Sequence, residues 1–106
     1  MENTVHRLLG TLKVELRALY GARLKGVYLY GSYARGEADA ESDLDVLVVL
    51  DHFEHYGEEV KRTSELSASL SLQYGVSISK VFFRERDWLS LQTPFLANVR
   101  EEAVPA

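Results

Sequence analysis

The sequence contains no cysteine. That excludes a disulfide framework, a thiolate metal site and a cysteine nucleophile together, and it fits a reducing compartment. Long hydrophobic runs are missing too: the longest, Val46 to Leu50, is far short of the roughly 20 residues that span a bilayer. The start, Met-Glu-Asn-Thr, carries no basic segment followed by an apolar one, so no secretory leader is expected and the protein reads as cytoplasmic, without membrane association. Nor is there an excess of positive charge. Twelve Lys and Arg against sixteen Asp and Glu leave a formal charge of −4, and a net negative chain has no general attraction for phosphate backbones, so direct nucleic-acid binding is not expected.

What is present is ordinary globular composition: 106 residues, 46% apolar and 26% charged, with no internal repeat, linker or low-complexity tail. That predicts one domain over residues 1–106. A chain of this size buries about two thirds of the surface its unfolded form exposes. The core is then modest and little chain remains for a lid or pocket, so an enzyme built on it would borrow walls from a partner or from a second copy.

Apolar residues Val5, Leu8, Leu9, Leu12, Leu16, Leu19 and Tyr20 recur at spacings of three and four, predicting a helix that Asn3 or Thr4 could cap and Gly21 could end. Val27 to Tyr30 reads as a short buried strand closed by Gly31, and Leu44 to Leu50 as a second. Between them, Gly31 to Ser42 is small and polar, a turn with room for a helical turn inside it. Phe53, Tyr56, Val60, Thr63, Ser67, Leu70 and Tyr74 predict one long helix from His52 to Tyr74 with Gly57 inside it. Glu58, Glu59, Lys61 and Arg62 are its expected solvated side. Gly75 ends that helix and Val76 to Phe83 is a third strand. Arg84 to Gln92 reads as helical, and Thr93-Pro94 as a cap with proline at the first helical position, opening a last helix through Phe95, Val99 and Ala103. The expected class is α+β: a small mixed sheet with helices packed on it.

The chemistry concentrates in Gly31-Ser32-Tyr33-Ala34-Arg35-Gly36-Glu37-Ala38-Asp39-Ala40-Glu41-Ser42-Asp43-Leu44-Asp45. Residues two apart on a strand share a face, so Asp43 and Asp45 present two carboxylates together at the start of the second strand. Such a pair suits a hard divalent cation such as Mg²⁺, which takes oxygen ligands and is commonly shared with substrate phosphates. In isolation such a pair is more often an ordinary polar strand end. At Gly31-Ser32 a residue without a side chain lets backbone N–H groups approach a phosphate, and a hydroxyl adds a donor. If the Gly31 end of the first strand lies beside the start of the second, the two run antiparallel. Arg35 then stands where it can meet a phosphate, and Gly36 permits the reversal. Each feature alone is an ordinary turn or surface residue; together they make one site.

Gly31-Ser32, ten residues, then Asp43-Leu44-Asp45 resembles the signature of the DNA polymerase beta superfamily of nucleotidyltransferases. The fuller string, Gly-Ser-Tyr-Ala-Arg-Gly through Ser-Asp-Leu-Asp-Val-Leu-Val, resembles its minimal nucleotidyltransferase branch. The resemblance implies a nucleotidyltransferase fold, a small mixed sheet with helices on one side. It also implies that Asp43 and Asp45 bind catalytic Mg²⁺ and that Gly31 and Ser32 contact the nucleotide phosphates; Arg35 and Ser42, in the same string, are the further candidate nucleotide-binding residues. ATP is the implied substrate, although no residue identifies the base. The implied reaction is transfer of AMP to a tyrosine of a partner, the HEPN-domain toxin of a toxin–antitoxin module, with the chain as antitoxin in complex with that partner or with itself.

One departure from the family pattern stands out. Active members usually carry a third carboxylate on the third strand, where it serves as general base; here Ser77 and Ser79 occupy those positions. Glu85 and Asp87, just beyond the strand, could serve only if the chain turned back. Two other readings therefore stay open: a degenerate domain that neutralises or scaffolds its partner by contact alone, and nucleotidylation of a small molecule, which usually needs a further domain. His6, His52 and His55 show no metal-ligand spacing, although the last two could share a helix face. Trp88 and the tyrosines are expected to pack rather than stack on a base.

Overall fold

The computed structural model describes residues 3–106. Val5, Leu8, Leu9, Leu12, Leu16 and Tyr20 are all buried on one face of helix α1 (Asn3–Tyr20). Asn3 and Thr4 lie inside its first turn rather than before it. Gly21, at a φ of +58°, ends α1 as expected and opens a short 3-10 turn into strand β1 (Leu24–Tyr30). Helix α2 (Gly31–Arg35) and a loop lead to β2 (Leu44–Leu50); helices α3 (Tyr56–Arg62) and α4 (Ser64–Tyr74) lead to β3 (Ile78–Arg84). Helices α5 (Glu85–Ser90) and α6 (Pro94–Glu102) and a two-residue strand, β4 (Val104–Pro105), complete the described chain.

The strands form one mixed sheet in the order β3-β2-β1-β4. β1 and β2 pair antiparallel, as a shared site for Gly31 and Asp43 requires, β2 and β3 pair parallel, and β4 pairs antiparallel with β1. Helices cover both faces of this sheet, not one. On the first face Leu44, Val46, Val48 and Leu50 pack with Leu8, Leu12, Leu16 and Leu70. On the second, Leu47 and Val49 pack with Leu96 and Val99 of α6, flanked by Tyr28, Tyr30 and Trp88. This is why β2 reads as an unbroken apolar run rather than an alternating one: each of its faces meets a helix layer.

The single long helix expected from His52 to Tyr74 is two helices meeting at Thr63. The fully buried Thr63 hydroxyl donates to the carbonyls of Glu59 and Val60 at 3.0 and 3.2 Å, and Ser67 donates back to the Thr63 carbonyl at 3.1 Å. Hydroxyl-to-carbonyl bonds of this kind compete with the helical ladder and bend it. The first half also starts later than expected. Asp51 accepts from Arg23 Nε at 3.2 Å and from the His52 N–H at 2.6 Å, and Arg84 Nε donates to the Phe53 carbonyl at 2.9 Å. These bonds hold residues 51–55 as a loop, so His52 and His55 share no helix face; both are exposed. Thr93 does cap α6, its hydroxyl accepting from the Leu96 N–H at 3.2 Å. Arg100 then ties α6 to α5, donating to the carbonyls of Trp88 and Leu91 at 2.6 and 2.8 Å, where α5 would otherwise leave them unpaired. Trp88 packs on Tyr28 with ring centroids 4.9 Å apart.

Glu59, expected on the solvated side of its helix, is only 4% exposed. It accepts from the Tyr20 hydroxyl at 2.6 Å and from Arg62 Nε at 3.1 Å, joining the end of α1 to α3. Burial and the adjacent carboxylate hold the Tyr20 hydroxyl well above its ordinary range. Because a buried carboxylate that loses a donor keeps its desolvation cost, Tyr20→Phe is expected to destabilise the fold by about 2 kcal/mol. Urea denaturation with an unchanged slope measures this; a change within error of zero would mean that Glu59 is satisfied by Arg62 alone.

Candidate functional site

The antiparallel register pairs Tyr30 with Asp45, so the residue after Tyr30 arrives beside the Asp45 side chain. That residue is Gly31, at a φ of +76°. A Cβ built on it would overlap Asp45 Oδ2 and stand 3.0 Å from Asp45 Cγ. Glycine is thus required twice, for the backbone angle and for the space the carboxylate fills. From there α2 makes barely more than one turn. Gly36, at a φ of +73°, ends it in the left-handed conformation, and the Glu37 N–H donates to the Ser32 carbonyl at 2.9 Å. The chain reverses at Gly36, as the sequence predicted.

The loop back to β2 is closed by its own side chains. Ser42 Oγ accepts from the Asp39 N–H at 3.0 Å and donates to Asp39 Oδ1 at 3.3 Å, so the Ser42 hydroxyl is engaged in a turn. The Leu44 N–H donates to the Ser77 carbonyl at 2.8 Å, fixing the start of β2 against the approach to β3. Asp43 is exposed there, and Asp45, the next residue on that side, is half-buried. Burial first, then the nearby Asp43 and Glu102 carboxylates, raise the proton affinity of Asp45, with Arg35 opposing them. Burial and Asp45 likewise push the Tyr30 hydroxyl up to about 12, so it stays neutral at physiological pH.

An uncompensated carboxylate beside a second one is the arrangement a hard cation relieves. Among the described residues no group of three or more His, Asp or Glu is placed to hold a metal. Among the described residues Asp43 and Asp45 are the pair that could hold a cation here, and the remaining ligands would be phosphate and water oxygens. This donor set fits Mg²⁺, which binds through one or two carboxylates and keeps several other oxygen ligands.

One residue at this end of the sheet escaped the sequence. Glu102, in the last turn of α6, accepts the Gly31 N–H at 3.0 Å and Arg35 Nη1 at 2.8 Å with the same oxygen, Oε2. Arg35 Nε meanwhile donates to Glu37 Oε1 at 2.7 Å, so the arginine lies between two carboxylates. Nothing local marks Glu102: it stands 71 residues from Gly31, and the contact exists because α6 covers the second sheet face and β4 pins its end beside β1. The third strand supplies no carboxylate. Its parallel register puts Ser79 beside Asp45, while Glu85 and Asp87 lie in α5, beyond Arg84 at the far end of the sheet, about 17 Å along the strand from Ser79. Asp87 there pairs with Arg84 at 3.6 Å.

Two expectations follow. Gly31→Ala combines a strained φ with overlap on Asp45, and should lower stability by more than about 1 kcal/mol; a stability equal to the parent in urea titration would contradict the contact. Asp45 is destabilised in the fold when charged, so its native pKa lies above its unfolded value near 3.8. In the window from that value up to the raised one the native state binds more protons than the unfolded state, and stability falls as pH rises. Asp45→Asn should therefore raise Tm at pH 7, an advantage that shrinks as pH approaches 4. Scanning calorimetry at the two pH values tests it, and a lower Tm for the variant at pH 7 would contradict it.

Comparison with known proteins places the chain in a family. MJ0141 of Methanocaldococcus jannaschii, provisionally named a protein adenylyltransferase, is 30% identical over 92 residues, 87% of this chain and 88% of that protein. A solved minimal nucleotidyltransferase superposes with a TM-score of 0.64 at 27% identity, covering 100% of this chain and 97% of the other. A structure described as the tri-AMPylated Shewanella oneidensis HEPN toxin in complex with MNT antitoxin gives a TM-score of 0.57 at 18% identity, over 93% and 69% of the two chains. The family model for the nucleotidyltransferase domain matches residues 9–104, a span that takes in the glycine turn, the acidic pair and Glu102: the chain belongs to the nucleotidyltransferase domain family.

Proposed function

We propose that residues 1–106 form a single minimal nucleotidyltransferase domain that moves AMP from ATP to a hydroxyl of a protein partner, in the cytoplasm and in complex with that partner. The carrying observation is the seating of Gly31 against Asp45, which brings a backbone N–H and the Arg35 guanidinium to the end of the sheet where the two aspartates stand. Asp43 and Asp45 are the residues that hold Mg²⁺, which when bound supplies charge neutralisation at the phosphates. Gly31 and Arg35 bind and orient the triphosphate, and Ser32, next in the turn, adds its hydroxyl. The acceptor oxygen forms a bond to the α-phosphorus as the bond from that phosphorus to the pyrophosphate oxygen breaks. Pyrophosphate leaves, the hydroxyl proton passes to water, and AMP remains as a phosphodiester on the acceptor. In-line placement and electrostatics, rather than covalent catalysis, carry the reaction.

ATP and a protein acceptor are inferred from the names of relatives: a protein adenylyltransferase in the archaeal protein, and an AMPylated HEPN toxin held by its MNT antitoxin in the solved complex. A HEPN-domain toxin is accordingly the proposed partner, and it supplies the acceptor wall that a chain of this size lacks.

Ser79 beside Asp45 favours a second reading, in which the domain neutralises its partner by contact alone. Intact-mass measurement of a HEPN partner after incubation with Mg-ATP separates the two. The transferase reading predicts a gain of one AMP or more, reduced roughly a hundredfold or more in rate by Asp43→Asn/Asp45→Asn. A stable complex with no mass gain would establish the second reading instead, and an undiminished rate in the double variant would show that the aspartates are not the site.

A further inference from the structure

Resting on the reading of Gly31 and Arg35 as the phosphate seat, we infer that the seat is occupied by the protein itself, and that Glu102 is the residue that sets how tightly nucleotide binds. A single oxygen of Glu102 takes both donors, the Gly31 N–H at 3.0 Å and Arg35 Nη1 at 2.8 Å. A carboxylate held by an N–H and a guanidinium presents to those groups what a phosphate oxygen presents: one negative charge and an acceptor aimed at both. Glu102 is therefore an internal stand-in for phosphate.

The alternative role, a permanent brace that keeps Arg35 in place for substrate, fits the geometry less well. A brace would leave the Gly31 N–H free for the ligand, whereas here the brace and the ligand want the same proton. Arg35 also has a second carboxylate, Glu37, on its Nε at 2.7 Å, so it stays positioned when Glu102 lets go. The Glu102 side chain is 22% exposed and has solvent to swing into. Its helix end is held to the sheet by the pairs Tyr28 with Pro105 and Leu29 with Val104 and by the Ala106 N–H donating to the Val27 carbonyl at 2.9 Å, so the seat opens by rotation of the Glu102 side chain rather than by movement of α6.

The consequence is competition. Triphosphate binds only to the fraction of molecules whose seat is open, and the apparent affinity is reduced by that fraction. Glu102→Gln keeps the size of the side chain, removes its charge and weakens its hold, so it should tighten binding. Isothermal titration with Mg-ATP and with magnesium tripolyphosphate is the test. The Kd of Glu102→Gln is expected to fall roughly three- to tenfold for both ligands, and that of Glu101→Gln, the exposed neighbour, to stay unchanged. In the parent, the Glu102 side-chain carboxyl carbon resonance is expected to move toward that of a solvated carboxylate as magnesium tripolyphosphate is added, a readout that needs no variant. An unchanged or weaker affinity in Glu102→Gln, or a Glu102 resonance that stays put while ligand binds, would overturn the inference and leave the nucleotide site standing. Failure of the parent and of Glu102→Gln alike to bind either ligand would overturn both.

Discussion

The contact on which the rest of the site depends is the close approach of the Gly31 backbone to the Asp45 carboxylate. Glycine suits it on two counts: the backbone there is left-handed, at a φ of +76°, and a Cβ would have to displace the Asp45 carboxylate. The approach follows from the pairing of Tyr30 with Asp45 at the end of two antiparallel strands. A slip by one residue would turn Asp45 into the opposite face and send the apolar residues of β2 out of their layers. That register is therefore held by the whole core: Val46, Leu47, Val48 and Val49 are each at most 1% exposed and together pin β2 between two helix layers. Stability and the candidate site share one constraint, since the packing that fixes the strand also fixes the approach of a bare backbone to a carboxylate.

Charge runs the other way. The same packing half-buries Asp45 beside Asp43 and Glu102, which raises its proton affinity and costs the fold stability. The protein keeps this strain at one end of its sheet and balances charge elsewhere: Arg23 meets Asp51, Arg62 meets Glu59, and Arg84 meets Asp87. Arg35 is the basic group that reaches the acidic end, and it does so between Glu37 and Glu102. A cation and a triphosphate arriving together would satisfy both sides of this arrangement, the carboxylates through the metal and the donors through the phosphates.

Much of this was legible along the chain. The strands at Leu44–Leu50 and Tyr30, the Thr93-Pro94 helix start and the Gly36 reversal all rest on local rules: apolar runs, capping chemistry and left-handed glycine. The antiparallel pairing followed from requiring Gly31 and Asp43 to share a site. What the sequence hid is non-local. The break at Thr63 arises because a threonine at a fully buried position turns its hydroxyl onto its own helix, which periodicity alone does not report. Glu59 looks like a surface residue until Tyr20 is seen to meet it from another helix. Glu102 is one of two adjacent glutamates near a helix end, and only the covering of the second sheet face and the short β4 pairing bring it to Gly31. The implied one-sided sheet hid that second layer. The third carboxylate, sought on β3, is absent there, and the carboxylate that does reach the site comes from α6.

The central claim is that nucleotide and metal meet at the Gly31–Asp45 end of the sheet. Paramagnetic broadening of backbone amide resonances by Mn²⁺-ATP tests it without requiring an acceptor or turnover. Broadening is predicted to be strongest at Gly31, Ser32, Asp43 and Asp45, to weaken along β2, and to be abolished by Asp43→Asn/Asp45→Asn. Broadening centred on Glu85 and Asp87 at the far end, or a pattern unchanged in the double variant, would contradict it.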